Sequence, residues 1–263
     1  MGSVSVLTRT RLAPVAVGFL ALAAPESLLA QRSARPLVNQ GPEGFLFREP
    51  RVTFAVRGGF NFQNTESSIF GFFTRHLTLD RNDFNAVVLA AELGVAVGRR
   101  WEVVLGVGHA ETRKESEFRD YVTEQGLPIA QTTLLATTPL TVAGRFYLWP
   151  RGRRVGRFVW IPARFSVYAG AGAGAAYYLL KQTGAFVDFS DLTIFGDRLQ
   201  SDGWAPVALV MAGAEYSLST RVLLNGDVRY QFAKGELGGD FVGFTDGINL
   251  SGTQFSAGLK VRF

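Results

Sequence analysis

The chain has 263 residues, 30 of them glycine, and carries 27 Lys and Arg against 22 Asp and Glu for a formal charge of +5. The absence of cysteine excludes a disulfide framework and a thioether-linked lipid anchor. The positive excess is small and scattered, with no basic helix to carry it, which excludes nucleic acid as a partner; with no solenoid-type repeat either, one domain after processing is expected.

Residues 1–30 read as a signal peptide. Arg9 and Arg11 form a basic start, and residues 12–24 are an apolar run broken only by Pro14 and Gly18, too short to cross a bilayer as a helix. Cleavage is expected after Ala30, with Ala23 as the alternative. No later segment reaches the ~18 consecutive apolar residues of a membrane helix. Residues 31–50, interrupted by Pro36, Pro42 and Pro50, read as an irregular tail leading to the body of the protein at 51–263.

From Arg51 the polarity alternates with a period of two, the mark of strands with one apolar face. Val52, Phe54 and Val56 begin the first strand. The second, about residues 83–97, puts Val87, Leu89, Ala91, Leu93 and Val95 on one side and Glu92 on the other. A tight turn at 98–100 leads to the third, with Trp101, Val103, Leu105 and Val107 outward and Glu102 inward. The fourth, about 133–148, sets Leu140, Val142 and Phe146 against Arg145 and Tyr147. The fifth, 163–180, alternates Ala with Gly. The sixth, 203–218, has an apolar run at 207–212 that suggests a bulge. The seventh, 221–232, sends Val222, Leu224, Val228 and Tyr230 outward and Asp227 and Arg229 inward. In the last strand Phe255, Ala257, Leu259, Val261 and Phe263 share one face, and Gln254, Ser256, Gly258, Lys260 and Arg262 the other.

Connections alternate between short turns and long polar loops, the loops at about 63–82, 110–132, 181–202 and 233–247. Aromatic residues cluster at both ends of the strands. Trp101, Trp149 and Trp160 lie near the short turns, and Trp204 and Tyr230, with Phe84, Tyr177 and Tyr178, near the long loops. Two such belts would bracket a hydrocarbon layer of roughly 25–30 Å. The fold expected is therefore all-β: a transmembrane, antiparallel up-and-down β-barrel of eight strands, with ten as the alternative.

A barrel of this size has room only for its own side chains or one small ligand. Inward positions carry Arg57, Arg145, Arg229, Lys260 and Arg262 against Glu92, Glu102, Glu215 and Asp227. Buried ions must pair, so these are expected to form a salt-bridged plug; the alternative is a narrow conduction path.

An alternating strand that ends the chain on Phe263, joined to a secretory leader and alternating loop lengths, resembles the small eight-stranded barrels of the bacterial outer membrane. That group contains the membrane domain of outer-membrane protein A and the OmpX- and OmpW-like proteins. The resemblance covers residues 51–263 and implies that Phe255, Ala257, Leu259, Val261 and Phe263 are read by the outer-membrane insertion machinery. It also implies an outer-membrane location among the lipids and lipopolysaccharide of that bilayer, both termini on the periplasmic side, no cofactor, and a non-enzymatic structural or surface-contact role. The OmpW-like alternative is a narrow channel for small hydrophobic molecules. Two departures stand out: no peptidoglycan-binding domain follows, and the turn at 149–162 is long. The resemblance implies no particular protein partner.

Other motifs carry less. Gly170, Gly172 and Ala175 fit a dinucleotide pattern, but no helix follows to hold a phosphate; small residues at 169–176 suit tight coiling, with a shallow outer groove as a further possibility. His76 and His109 are the only histidines. Lipid-A-modifying barrels use His with Ser and an acid, and no Ser stands beside His109-Ala110-Glu111, so no catalytic residue is assigned. The basic turn (Arg151, Arg153, Arg154, Arg157) suits anionic headgroups. The acidic loop (Asp188, Asp191, Asp197, Asp202) lacks the spacing of a metal site.

Overall fold

The computed structural model describes residues 44–123, 125–241 and 243–263. The leader expected at 1–30 and most of the tail expected at 31–50 lie outside the described residues. In chain order the elements are β1 (Val52–Gln63), α1 (Ser68–His76), β2 (Ala86–Ala96), β3 (Trp101–Val122), β4 (Pro128–Tyr147), β5 (Gly152–Val155), β6 (Val159–Pro162), β7 (Phe165–Val187), β8 (Ile194–Ser217), β9 (Val222–Gly235), β10 (Ile248–Asn249) and β11 (Gly252–Arg262).

Eight of these strands form one antiparallel ring in the order β1-β2-β3-β4-β7-β8-β9-β11. It closes where β11 returns to β1, with Thr53 opposite Arg262 and Phe60 opposite Phe255. Closure leaves the wall without a free edge. The small residues of β7 let the strands come together closely. A Cβ on Gly174 would stand 2.0 Å from the Leu140 carbonyl oxygen of β4, and one on Gly172 would stand 2.5 Å from that of Val142.

Through the ring, side chains alternate between the two surfaces. Outward positions expose Val56, Leu89, Leu105, Val142, Val210, Leu224 and Leu259, one from each ring strand but β7, where Ala169, Ala171 and Ala173 are exposed. Soluble proteins rarely expose an apolar patch beyond a few hundred Å², whereas this one encircles the molecule; it is a surface made for hydrocarbon. Aromatic pairs bound it: Trp101 with Phe146 (5.0 Å between centroids) and Trp149 with Phe165 (6.3 Å) at one end, Tyr177 with Trp204 (5.6 Å) and Tyr230 with Phe232 (4.6 Å) at the other. From Trp204 to Tyr216 along β8, a strand tilted by ~40° climbs about 30 Å, the thickness of a bilayer core.

Several sequence expectations are corrected. Trp160 is only 3% exposed. Its segment folds back as the β5–β6 hairpin, pairs with Leu46 and lays the indole under the Arg262 guanidinium, 5.5 Å away, inside the short-turn end. Phe84 and Tyr178 are also buried, pointing inward rather than joining the outer belt. The segments 110–132 and 181–202 are mostly strand: β3 and β4 continue to Val122 and Pro128, and β7 and β8 to Val187 and Ile194. No bulge occurs at 207–212, where β8 keeps its register with both neighbours. The run is apolar on both faces because Val207, Leu209 and Met211 pack inward while Ala208, Val210 and Ala212 face out. The register shift lies instead between Glu117 and Val122 of β3.

Beyond Glu111, the last residue of β3 paired with β2, four strands rise together. Above Val207, where β8 parts from β9, β3, β4, β7 and β8 continue as a projecting sheet. The first long loop contributes α1, with Ile69, Phe70 and Phe73 fully buried.

Candidate functional site

The interior is built in two parts. At the short-turn end Lys260 (β11) donates to Glu102 (β3) and Glu215 (β8), both at 2.8 Å. Thr53 donates to Glu102 at 2.7 Å, and the Tyr147 hydroxyl lies 2.8 Å from Glu102 and 3.0 Å from Glu215, its single proton serving one at a time. Arg145 approaches Glu102 at 3.8 Å and ties this layer to the next through its bond to Glu92. In that second layer Arg57 bridges Glu92 and Asp227, while Arg229 reaches the same pair at 3.0 and 2.7 Å. Arg145 lies 4.8 Å over the Tyr168 ring.

All nine inward charges assigned from sequence parity are buried. Eight meet opposite charges. Arg262 instead donates to the Ser217 hydroxyl at 2.6 Å. Arg151, expected at a headgroup-facing turn, folds into the barrel end and lies 3.7 Å from Glu102. Its neighbour Arg154 pairs with Glu49 at 2.8 Å. Arg151 was not readable as a lumen residue because parity does not carry through a turn of Pro and Gly. In this set of buried ion pairs Glu92, Glu102 and Asp227 each meet more than one cation, so the network resists removal of a member.

The other half of the interior is apolar. Ile69, Phe70 and Phe73 of α1, with Leu77, Leu79 and Phe84, pack against Phe118, Ile129, Leu135, Tyr178, Leu180, Val207 and Ile248 of the wall. Phe70 meets Phe84 edge to face at 4.6 Å. The helix is tethered at its N-terminus by a carboxylate from the last loop: the Ser68 backbone N–H donates to Asp246 at 2.8 Å, and the Ser68 hydroxyl donates to the same group. These bonds, led by the side-chain one, hold the Asp246 carboxyl below its ordinary range. The sequence hides this plug because a nine-residue helix offers little periodicity.

Where β8 and β9 part, a groove of about 570 Å³ lies against the wall. Its apolar side is Pro206, Val207, Ala208, Phe232 and Ala233, and its rim includes Glu66, Lys234 and Asp246. Pro206 has no N–H to offer β9, and Val207 and Ala233 belong to the apolar cluster behind it.

The remaining candidates stay dispersed. His109 Nδ1 lies 2.9 Å from the Thr138 hydroxyl across the β3–β4 pair. Its other nitrogen is 3.8 Å from Glu111, beyond hydrogen-bond reach, so no hydroxyl–imidazole–acid relay is assembled. His76 stacks beside Phe72. Asp188 and Asp191 accept bonds within their own turn, from Ser190 and Thr193. Among the described residues no group of His, Asp or Glu could hold a metal ion. Gly170, Gly172 and Ala175 lie in mid-strand in β7. Phe255, Ala257, Leu259 and Phe263 point outward, and Val261 is half-buried on the same face.

No family model and no curated protein matches the chain. Among solved structures it is similar to Neisserial surface protein A (NspA), with a TM-score of 0.45 at 10% identity, over 84% of this chain and 100% of that one. The outer membrane protein OprG from Pseudomonas aeruginosa gives 0.45 at 14% identity, over 83% and 99%. A major outer membrane protein from Thermus thermophilus gives 0.44 at 14% identity, over 81% and 99%. At that overlap no residue can be carried from one to another, and the barrel described above stands on its own strand pairing.

Proposed function

We propose that the protein is a non-enzymatic integral barrel of the bacterial outer membrane, with a closed lumen and a structural or surface-contact role. The observation that carries this reading is the double seal, ion pairs in one half and the α1 plug in the other. The band of apolar side chains supports the membrane setting. It leaves the terminal strand facing lipid, where the insertion machinery would read it, among outer-membrane lipids and lipopolysaccharide. What such a protein offers its surroundings is then the projecting sheet of β3, β4, β7 and β8. Planar-bilayer recording of the purified protein tests the seal: silence is expected, and steady unit conductance overturns it.

The groove between β8 and β9 favours a second reading, in which a small hydrophobic molecule enters at the loop end, displaces α1 and leaves sideways past Pro206. Uptake of an apolar dye into proteoliposomes that conduct no ions would select this reading over the first.

A further inference from the structure

The face of the projecting sheet that looks away from the barrel interior carries three cations that have no carboxylate partner among the described residues. Strand register builds the group. Thr138 of β4 stands opposite Tyr177 of β7, and Tyr177 opposite Trp204 of β8, so the belt aromatics Tyr177 and Trp204 lie in one row across β7 and β8. Farther from the bilayer, Arg113 of β3 stands opposite Leu134 of β4, which stands opposite Lys181 of β7. Arg113 and Lys181 therefore flank Leu134 on one face, about 10 Å apart at two strand spacings. Lys181 faces Gln200 of β8, and Arg198 faces Thr183, which sets Arg198 diagonal to Lys181 at roughly 7–8 Å.

No described carboxylate neutralises the three. The surface pair that forms nearby, Lys114 with Asp83, leaves them out, and Glu111, two residues before Arg113, makes no ion pair with it. Asp202 is engaged by Tyr177 and Gln200, and Glu115 stands opposite Thr132, beyond Arg113. Lys181 is half-buried; burial first, then the Arg198 and Arg113 guanidiniums, hold its ammonium below the ordinary lysine value. Both guanidiniums repel it. An anion placed among the three relieves that repulsion.

The depth of the group selects the anion. Lys181 lies four residues past Tyr177 on β7, which lifts it about 10 Å above the aromatic row, into the headgroup layer. Long side chains at this level can bend toward the membrane with their stems on the wall, and guanidinium forks match phosphate oxygens. We propose that Arg113, Lys181 and Arg198 dock the phosphate-bearing headgroup of an outer-leaflet lipid against the β3–β4–β7–β8 wall, above Tyr177 and Trp204. The assignment rests on the membrane-embedded reading above.

The test reconstitutes the full protein into neutral phosphatidylcholine vesicles containing a minor fraction of diphosphorylated lipid A. Lipid that stays bound is then counted by native mass spectrometry. Retention of lipid A over phosphatidylcholine is expected to fall about fivefold for each cation removed, in Arg113→Gln and Lys181→Gln. It should vanish in the triple variant with Arg198→Gln and persist in Arg99→Gln at the opposite rim. A heat-dependent gel shift verifies that each variant is folded. Wild-type retention in the folded triple variant overturns the site, and stripping of the lipid by excess inorganic phosphate overturns the lipid as its occupant. Failure of the wild-type protein to float with neutral vesicles would instead sink the membrane reading, and the site with it.

Discussion

Leu259 lies midway along β11 between Phe255 and Phe263, and 54% of it is exposed on the outside of the ring. In water, Leu259→Arg is an ordinary surface change worth no more than ~0.5 kcal/mol. In the middle of a hydrocarbon layer the same change costs about 2–4 kcal/mol, and near an interface about 0–1. Val210 is the replicate, midway between Trp204 and Tyr216 on β8, a quarter of the ring away. Phe263, at the rim, is the shallow control. Urea titration in phosphatidylcholine vesicles, followed by tryptophan fluorescence, should give two large losses for Leu259→Arg and Val210→Arg and a small one for Phe263→Arg. If all three variants unfold within ~0.5 kcal/mol of wild type, the exterior does not face lipid and the depth argument fails.

Three further outcomes are expected. Lys260→Met strips the cation shared by Glu102 and Glu215 and should cost about 3–5 kcal/mol in the same titration. Adding Glu215→Gln should recover most of it, because Glu102 keeps Arg145, Arg151 and Thr53. Phe73→Ala empties a fully buried site in the plug and should weaken local packing by about 3–5 kcal/mol. The sign is faster proteolysis within residues 64–85, mapped by mass spectrometry, with the barrel's own unfolding midpoint unchanged. The Asp246 tether has a carboxyl value depressed below 3.8 by its bonds to Ser68. Its contribution is thus complete above that pH and lost as the pH falls through the depressed value. Hydrogen-exchange protection of α1 should stay flat from neutral pH to 5 and drop only in stronger acid, whereas Asp246→Ala should lower it at every pH.

The wall was legible where lipid lies on one side and ions on the other, because that contrast writes a period of two into the chain. In β2 the outward Leu89, Leu93 and Val95 frame the inward Glu92, and in β11 Leu259 and Val261 frame Lys260. Above the membrane the contrast disappears. Arg113, Glu115 and Glu117 face water, while their inward neighbours Thr112 and Ser116 are small and polar, so the outer half of β3 reads as loop. In β8 the reverse holds, since lipid outside and an apolar interior blur the alternation over 207–212. The lumen charges follow from parity, but which partners meet is fixed by strand register across the ring, and pairs such as Arg57 with Asp227 lie 170 positions apart in sequence. Arg151 and α1 sit in connections, where a side chain's direction depends on contacts made elsewhere.

The strands that cross the proposed lipid band run unbroken into the projecting sheet: β7 extends from Phe165 to Val187 and β8 from Ile194 to Ser217. There is no hinge between wall and sheet. Whatever meets the tip at Leu192 therefore encounters it at a bearing set by the tilt of the cylinder, and a sideways load applied there is felt as torque on the rungs joining β7 to β4.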